Sequence, residues 1–141
     1  MKRFDKLLEE DIGGYGGEFG DFIKEAPSFF RLMTGLLDDP SLSESLSPLV
    51  IASIAYFILP SDVIPEDKLG PKGYIDDIFL CAFVANKVMI DVGSENILNN
   101  HWDGKRPVVP LIKDILEREK ELIGENKELI MKFIGYEQPC E

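Results

Sequence analysis

The fold turns on two apolar runs and the turn between them: Leu49-Val50-Ile51-Ala52-Ser53-Ile54-Ala55-Tyr56-Phe57-Ile58-Leu59-Pro60-Ser61-Asp62-Val63-Ile64-Pro65-Glu66, then Gly73-Tyr74-Ile75-Asp76-Asp77, which opens a second run reaching Val92. No charge appears between Ser45 and Ser61. A helix that is apolar all round is buried in a domain or in a bilayer. This uncharged stretch is about 17 residues with prolines and serines in it, short of the roughly 20 that a membrane span needs. It reads as a core helix. In the second run Ile75, Ile78, Phe79, Ala82, Phe83 and Met89 share a helical stripe, which Leu80, Val84 and Val88 widen. Both runs are too long, and too rich in Ala, Leu and Met, for strands.

The joining segment has its own logic. Pro60 cannot continue the preceding helix and biases Leu59 away from helical dihedrals; Pro65 does the same to Ile64. The chain therefore leaves the helix, crosses in extended form and re-enters. Asp62 is placed to accept backbone N–H groups left free in the turn. Asp76 and Asp77 fall in the first turn of the next helix, where carboxylates complement the helix dipole.

Working outward, Phe4, Leu7, Leu8 and Ile12 predict a helix over 1–12. Five glycines then fall in the eight residues from Gly13 to Gly20, a hinge or flexible loop in which backbone entropy opposes a helix. That loop lacks the spacing and the Lys-Ser/Thr ending of a phosphate-binding loop. A helix fits Asp21 to Leu37, with Pro27 near its start or splitting it, and Asp38-Asp39-Pro40-Ser41 stops it. Ser47-Pro48 reads as an N-cap followed by a first-turn proline. The next helix runs from about Tyr74 to Val92, Gly93-Ser94 interrupts, and Asn99 to Gly104 is a loop. An amphipathic seam at 111, 115, 122, 129 and 133 predicts helix over Pro110–Ile134, with Gly124 as a possible division and Gly135 as the stop. The expectation is an all-α, single-domain bundle over 1–141, with about 5–6 helices around a central buried helical hairpin.

The turn also resembles a known family. Pro60, Asp62, Ile64 and Pro65, followed by Gly73, Tyr74, Asp76 and Asp77, match in order the signature of the YkvA-like family (domain of unknown function 1232), over about residues 30–92. Glu66 stands where the family has aspartate, and Asp67-Lys68-Leu69-Gly70-Pro71-Lys72 is polar where its members are often apolar. The resemblance implies a hairpin between two apolar helices and, for many members, membrane association; the polar linker argues against the latter here.

Two chemistries are open to the motif carboxylates. They serve the hairpin as caps, or Asp62, Glu66, Asp76 and Asp77 gather at one end of it. Such hard oxygen ligands, without His or Cys, suit Mg²⁺ or Ca²⁺ rather than zinc. No other cofactor is expected. Catalysis finds no support: His101 has no nucleophile at a recognisable spacing, Cys81 lies inside an apolar run, and Asp76 and Asp77 point about 100° apart on a helix. The chain reads as a non-enzyme. With two cysteines no disulfide framework forms, and Met1-Lys2-Arg3-Phe4 leads into charges rather than a signal sequence, so a reducing, cytoplasmic setting is expected.

The charge serves solubility alone or points to a partner. The net charge is −11, and residues 1–104 hold −10 of it: 5 basic and 10 acidic side chains in 1–48, then 3 and 8 in 49–104. Such a surface repels nucleic acid and anionic lipid and attracts a basic protein. The readings carried forward are a non-catalytic helical interaction module, an immunity-protein or antitoxin-type inhibitor of a basic, nuclease-like partner, and a membrane-associated protein like its YkvA-like relatives.

Overall fold

Why the chain after the glycine-rich stretch folds as two helices rather than one is visible at Pro27. In the computed structural model, which describes Lys6, Glu9, Glu10, residues 20–58 and residues 75–124, helix α1 (Gly20–Ile23) stops and α2 (Ala26–Leu37) starts afresh. Pro27 occupies the first turn of α2, where its missing N–H would have no intrahelical partner. Gly20, expected in the hinge, instead opens α1; hydrogen bonding of the next turn is enough to hold one glycine in helical dihedrals. Lys6, Glu9 and Glu10 are helical. Gly13–Phe19, most of helix 1–12, the hairpin turn 59–74 and residues 125–141 lie outside the described residues.

Helix α2 buries Phe29, Leu32, Met33 and Leu36 completely, a spacing that keeps one face inward. Hydrogen-bonded turns reverse the chain over 38–46, with Asp39 N–H donating to Leu36 O and Leu42 N–H to Asp39 O, both at 3.1 Å. Helix α3 (Ser47–Ile58) follows, then α4 (Ile75–Val92). Among the described residues there is no strand, and α2, α3 and α4 pack on one another as an all-α bundle. Helix α4 is the central one: Ile75, Ile78, Phe79, Leu80, Cys81, Ala82, Val84, Ala85 and Val88 are all buried. It ends at Gly93, whose φ of +80° is open to glycine without strain, and whose N–H closes onto Met89 O at 2.9 Å.

Helix α3 departs from its expected burial on every side. Val50, Ser53 and Tyr56 face the core, but Ile51 is 51% exposed. A three-helix contact covers only part of a helix's circumference, so uniform hydrophobicity leaves one side outward.

Beyond α4 lie α5 (Asn96–Asn99), α6 (Val108–Glu117) and α7 (Glu119–Leu122). The amphipathic seam is real: Leu111 and Ile115 are fully buried and Leu122 is 5% exposed. Its bounds differ from expectation. Helix α6 starts at Val108, because Pro110 sits in a first turn that tolerates it, and the helix breaks at Arg118, whose N–H bonds Asp114 O and Ile115 O. Positions 129 and 133 lie outside the described residues. No helix among the described residues is long and apolar enough to cross a membrane.

The loop between α5 and α6, expected as a free polar connection, is fastened along α2. Trp102 meets Phe29 edge-on, ring centroids 5.0 Å apart, and its Nε1–H donates to Arg106 O at 2.7 Å. His101 Nε2 and Asp39 Oδ2 are 2.7 Å apart. Gly35 lies beneath the imidazole so closely that a Cβ there would sit 2.7 Å from Nδ1.

Candidate functional site

Of the motif residues, the structure describes Asp76 and Asp77; Pro60, Asp62, Ile64, Pro65, Glu66, Gly73 and Tyr74 lie outside the described residues. The two aspartates occupy the first turn of α4, as their spacing predicts, but they are far more deeply placed than a surface cap: Asp76 is 0% and Asp77 1% exposed. Burying a carboxylate costs several kcal/mol unless hydrogen bonds replace its water. Asp76 has such bonds. Its Oδ2 accepts the Tyr56 hydroxyl at 2.8 Å, and its Oδ1 accepts the backbone N–H of Asp77 at 3.0 Å. One carboxylate thus ties the last turns of α3 to the start of α4 and satisfies an N–H that a helix start leaves without an intrahelical acceptor.

This pairing fixes the hairpin's geometry. Tyr56, near the end of α3, meets Asp76, at the start of α4, so the two helices run antiparallel. Tyr56 stands inside an apolar run, and a buried phenol needs a partner for its O–H. That signal was present in the sequence; the identity of the acceptor was not, because it lies 20 residues away across a turn.

A second polar layer lies further into the core. Ser53 Oγ–H donates to Val50 O at 2.8 Å and also reaches the Cys81 thiol. Burial pushes the Cys81 thiol pKa well up, the Asp77 charge pushes it further, and the Ser53 hydrogen bond opposes them only in part. The sulfur keeps its proton and packs as a small core group. Tyr56, Ser53, Cys81, Asp76 and Asp77 therefore form the polar seam of the hairpin, all of them buried. Among the described residues no three His, Cys, Asp or Glu side chains sit together as metal ligands would.

His101 is remote from this seam in role. Its Nε2 is engaged by Asp39 and its Nδ1 side lies on Gly35. That hydrogen bond is the main cause holding the Asp39 carboxyl below the usual aspartate range, helped by the Ser41 N–H at 2.8 Å.

The remaining feature is at the surface. Among the described residues three large apolar side chains stand exposed: Leu37 at 37%, Ile51 at 51% and Ile90 at 69%. Because α2 turns directly into α3, and α3 runs antiparallel to α4, the end of α2, the first turns of α3 and the end of α4 lie at one end of the bundle. The exposed acids Asp38, Glu44, Asp91 and Glu95 belong to the same end. Around α6 and α7, Arg106 pairs with Asp114 at 3.3 Å and Arg118 with Glu121 at 2.9 Å.

Comparison with known proteins agrees with the hairpin motif. The model of a family described as "Protein of unknown function (DUF1232)" matches residues 48–83, which take in α3 and the first half of α4. An "Uncharacterized protein ORF9" from Methanothermobacter thermautotrophicus is 32% identical over 130 residues, spanning 92% of this chain and 88% of that protein. No solved structure matches.

Proposed function

For this chain, which belongs to the DUF1232 family of proteins of unknown function, we propose a non-catalytic role: a helical interaction module that binds a basic protein through one end of its bundle. The observation that carries this reading is the apolar trio Leu37, Ile51 and Ile90 set among Asp38, Glu44, Asp91 and Glu95. Apolar anchors supply affinity once desolvated, and a charged rim supplies steering and discrimination. The charge arrangement supports it, since Arg106 and Arg118 are turned to intramolecular pairs.

Catalysis is disfavoured by the groups that would have to perform it. The Cys81 thiol is buried with its proton retained, and His101 is engaged at Nε2 by Asp39 and packed against Gly35. The buried aspartates are used in joining helices. The narrower idea of an inhibitor covering a basic nuclease-like partner is one form of the same reading, and the identity of the captured protein separates the two.

The test is kinetic. Steered association slows steeply as salt rises. Binding of the partner captured from native cells is expected to show an on-rate that falls roughly tenfold or more between about 50 and 500 mM salt. Ile90→Asp or Ile51→Asp should speed dissociation while leaving that salt dependence in place. A flat on-rate, or a captured partner that is itself acidic, refutes the reading.

A further inference from the structure

Residues 101–104 lie along α2 as a strap, in antiparallel sense. His101 meets Asp39 and Gly35, Trp102 meets Phe29, and Asp103 takes Arg31 in two bonds, Nε–Oδ2 at 2.6 Å and Nη2–Oδ1 at 3.2 Å. Gly104 comes last, over Glu25, the residue just before α2. Glu25, Phe29, Arg31, Gly35 and Asp39 thus run from the residue before α2 to just past its end, and the strap passes down the helix along them.

Glu25 is the anomaly in this contact. It is only 8% exposed, and its Oε2 is buried with no hydrogen-bond partner among the described residues. The strap presses on that oxygen: a Cβ at Gly104 would lie 2.4 Å from Oε2 and 2.3 Å from Trp102 Cζ2. A buried acceptor without a donor is tolerable as a neutral acid and costly as an anion. The charges that face it are Asp103, Lys105 and Arg106 from the strap and its continuation, and Lys24 beside it in the turn. Arg31 from α2 is committed to Asp103 and Glu9, and Asp114 and Arg118 from α6 and its end are committed to Arg106 and Glu121.

We propose that residues 101–104 form a releasable strap over α2, with Glu25 as its trigger: neutral Glu25 lets the strap close, and ionised Glu25 drives it off. Burial raises the Glu25 pKa, outweighing the Arg106 and Lys105 charges that lower it, while Asp103 adds to the rise. A carboxyl whose pKa is raised by closure binds its proton better in the closed form. The closed strap is therefore favoured below the ordinary glutamate range and weakened as pH rises through the raised value, by up to about tenfold in the closing constant per pH unit. The aspartates that fasten the strap, Asp103 within it and Asp39 just past α2, act on the other side. Asp39 and Asp103 have lowered pKa values, so their contributions persist until pH drops below the ordinary aspartate range. The displaced strap uncovers Phe29 and the Gly35 side of α2, which makes the device a means of exposing an apolar helix side on demand.

Trp102, the chain's single tryptophan, sits in the strap and reports on it directly. The experiment follows its fluorescence emission between about pH 4.5 and 8, a range that spans ordinary carboxyl and histidine titration, with backbone hydrogen exchange of 101–106 measured in parallel. Because histidine also titrates there, His101→Gln serves as a second parent. Emission should move to the red and protection, taken as exchange relative to the intrinsic base-catalysed rate at each pH, should fall with rising pH in both parents, while Glu25→Gln keeps the blue, protected state throughout. Gly104→Ala, which forces a Cβ onto Oε2 and the indole, should give red emission at every pH while far-ultraviolet circular dichroism still reports a folded bundle. A pH response that survives in Glu25→Gln, an emission change without loss of protection, or no response in either parent overturns the proposal.

Discussion

Glycine in the middle of a helix ordinarily costs about 1 kcal/mol relative to alanine, so Gly35→Ala in α2 would by itself stabilise the chain. The structure reverses that expectation. Gly35 has no positive φ to protect, and the obstacle is the imidazole above it: an added Cβ would stand 2.7 Å from His101 Nδ1, 2.9 Å from Cγ and 3.1 Å from Cβ. These atoms are the root and near edge of the ring, tied at the far edge to Asp39, so the side chain has no cheap retreat. Overpacking of this kind costs typically 1–3 kcal/mol. Set against the helix-propensity gain, the net change expected is a loss of about 1 kcal/mol, or about 3 °C in melting temperature for a chain of this size. In the background His101→Ala the two ring contacts are gone and only the 3.1 Å approach of Cβ remains, so the same substitution should stabilise by up to about 1 kcal/mol. The coupling between the two positions is then about 2 kcal/mol, at the upper part of the range for residues in contact. Urea denaturation of the four proteins, followed by circular dichroism, measures it. If Gly35→Ala raises the denaturation midpoint when His101 is present, the reasoning fails.

Tyr56→Phe should cost about 1–3 kcal/mol, because it takes a donor from the fully buried Asp76 carboxylate; an unchanged urea midpoint would remove the hairpin bond from the stability account. Asp76 has both oxygens engaged inside the fold, so millimolar Mg²⁺ or Ca²⁺ is expected to leave the melting temperature unchanged; a rise would restore a cation to Asp62, Glu66, Asp76 and Asp77 by mass action. Burial works against ionisation of Asp103, but the hydrogen bonds from Arg31 and Ser28 and the Arg31 charge prevail and hold its pKa below the ordinary value. Its contribution is complete above the unfolded value of about 3.9 and lost as pH falls through the folded one, so Asp103→Asn should flatten the acid loss of stability below about pH 4, read from urea midpoints at each pH.

Much of this protein is legible in its sequence, for reasons that are local. The 3.6-residue spacing of Phe29, Leu32, Met33 and Leu36, and of Leu111 and Ile115, states which faces go inward, and proline and glycine at fixed places start and stop the helices. The hairpin motif marks a helix–turn–helix unit, and its spacing places Asp76 and Asp77 in the first helical turn. Helix ends were less legible: Pro110 falls inside α6 and Arg118 interrupts it, because first-turn tolerance and capping depend on which N–H groups already lack partners.

What only the tertiary structure decided is every pairing between distant residues. Sequence spacing shows that Tyr56 needs a partner but not that Asp76, across a turn, is that partner. It marks Gly35 as an oddity in a helix, yet the imidazole that requires it comes from 66 positions later in the chain (101 less 35). It reads His101 to Gly104 as a polar connection, while the fold lays them along α2 and brings Glu25 beneath Gly104. The physical reason is common to all of these. Periodicity and propensity act over a few neighbouring residues, whereas a buried polar group or a missing Cβ is explained only by the surface that arrives when the helices pack.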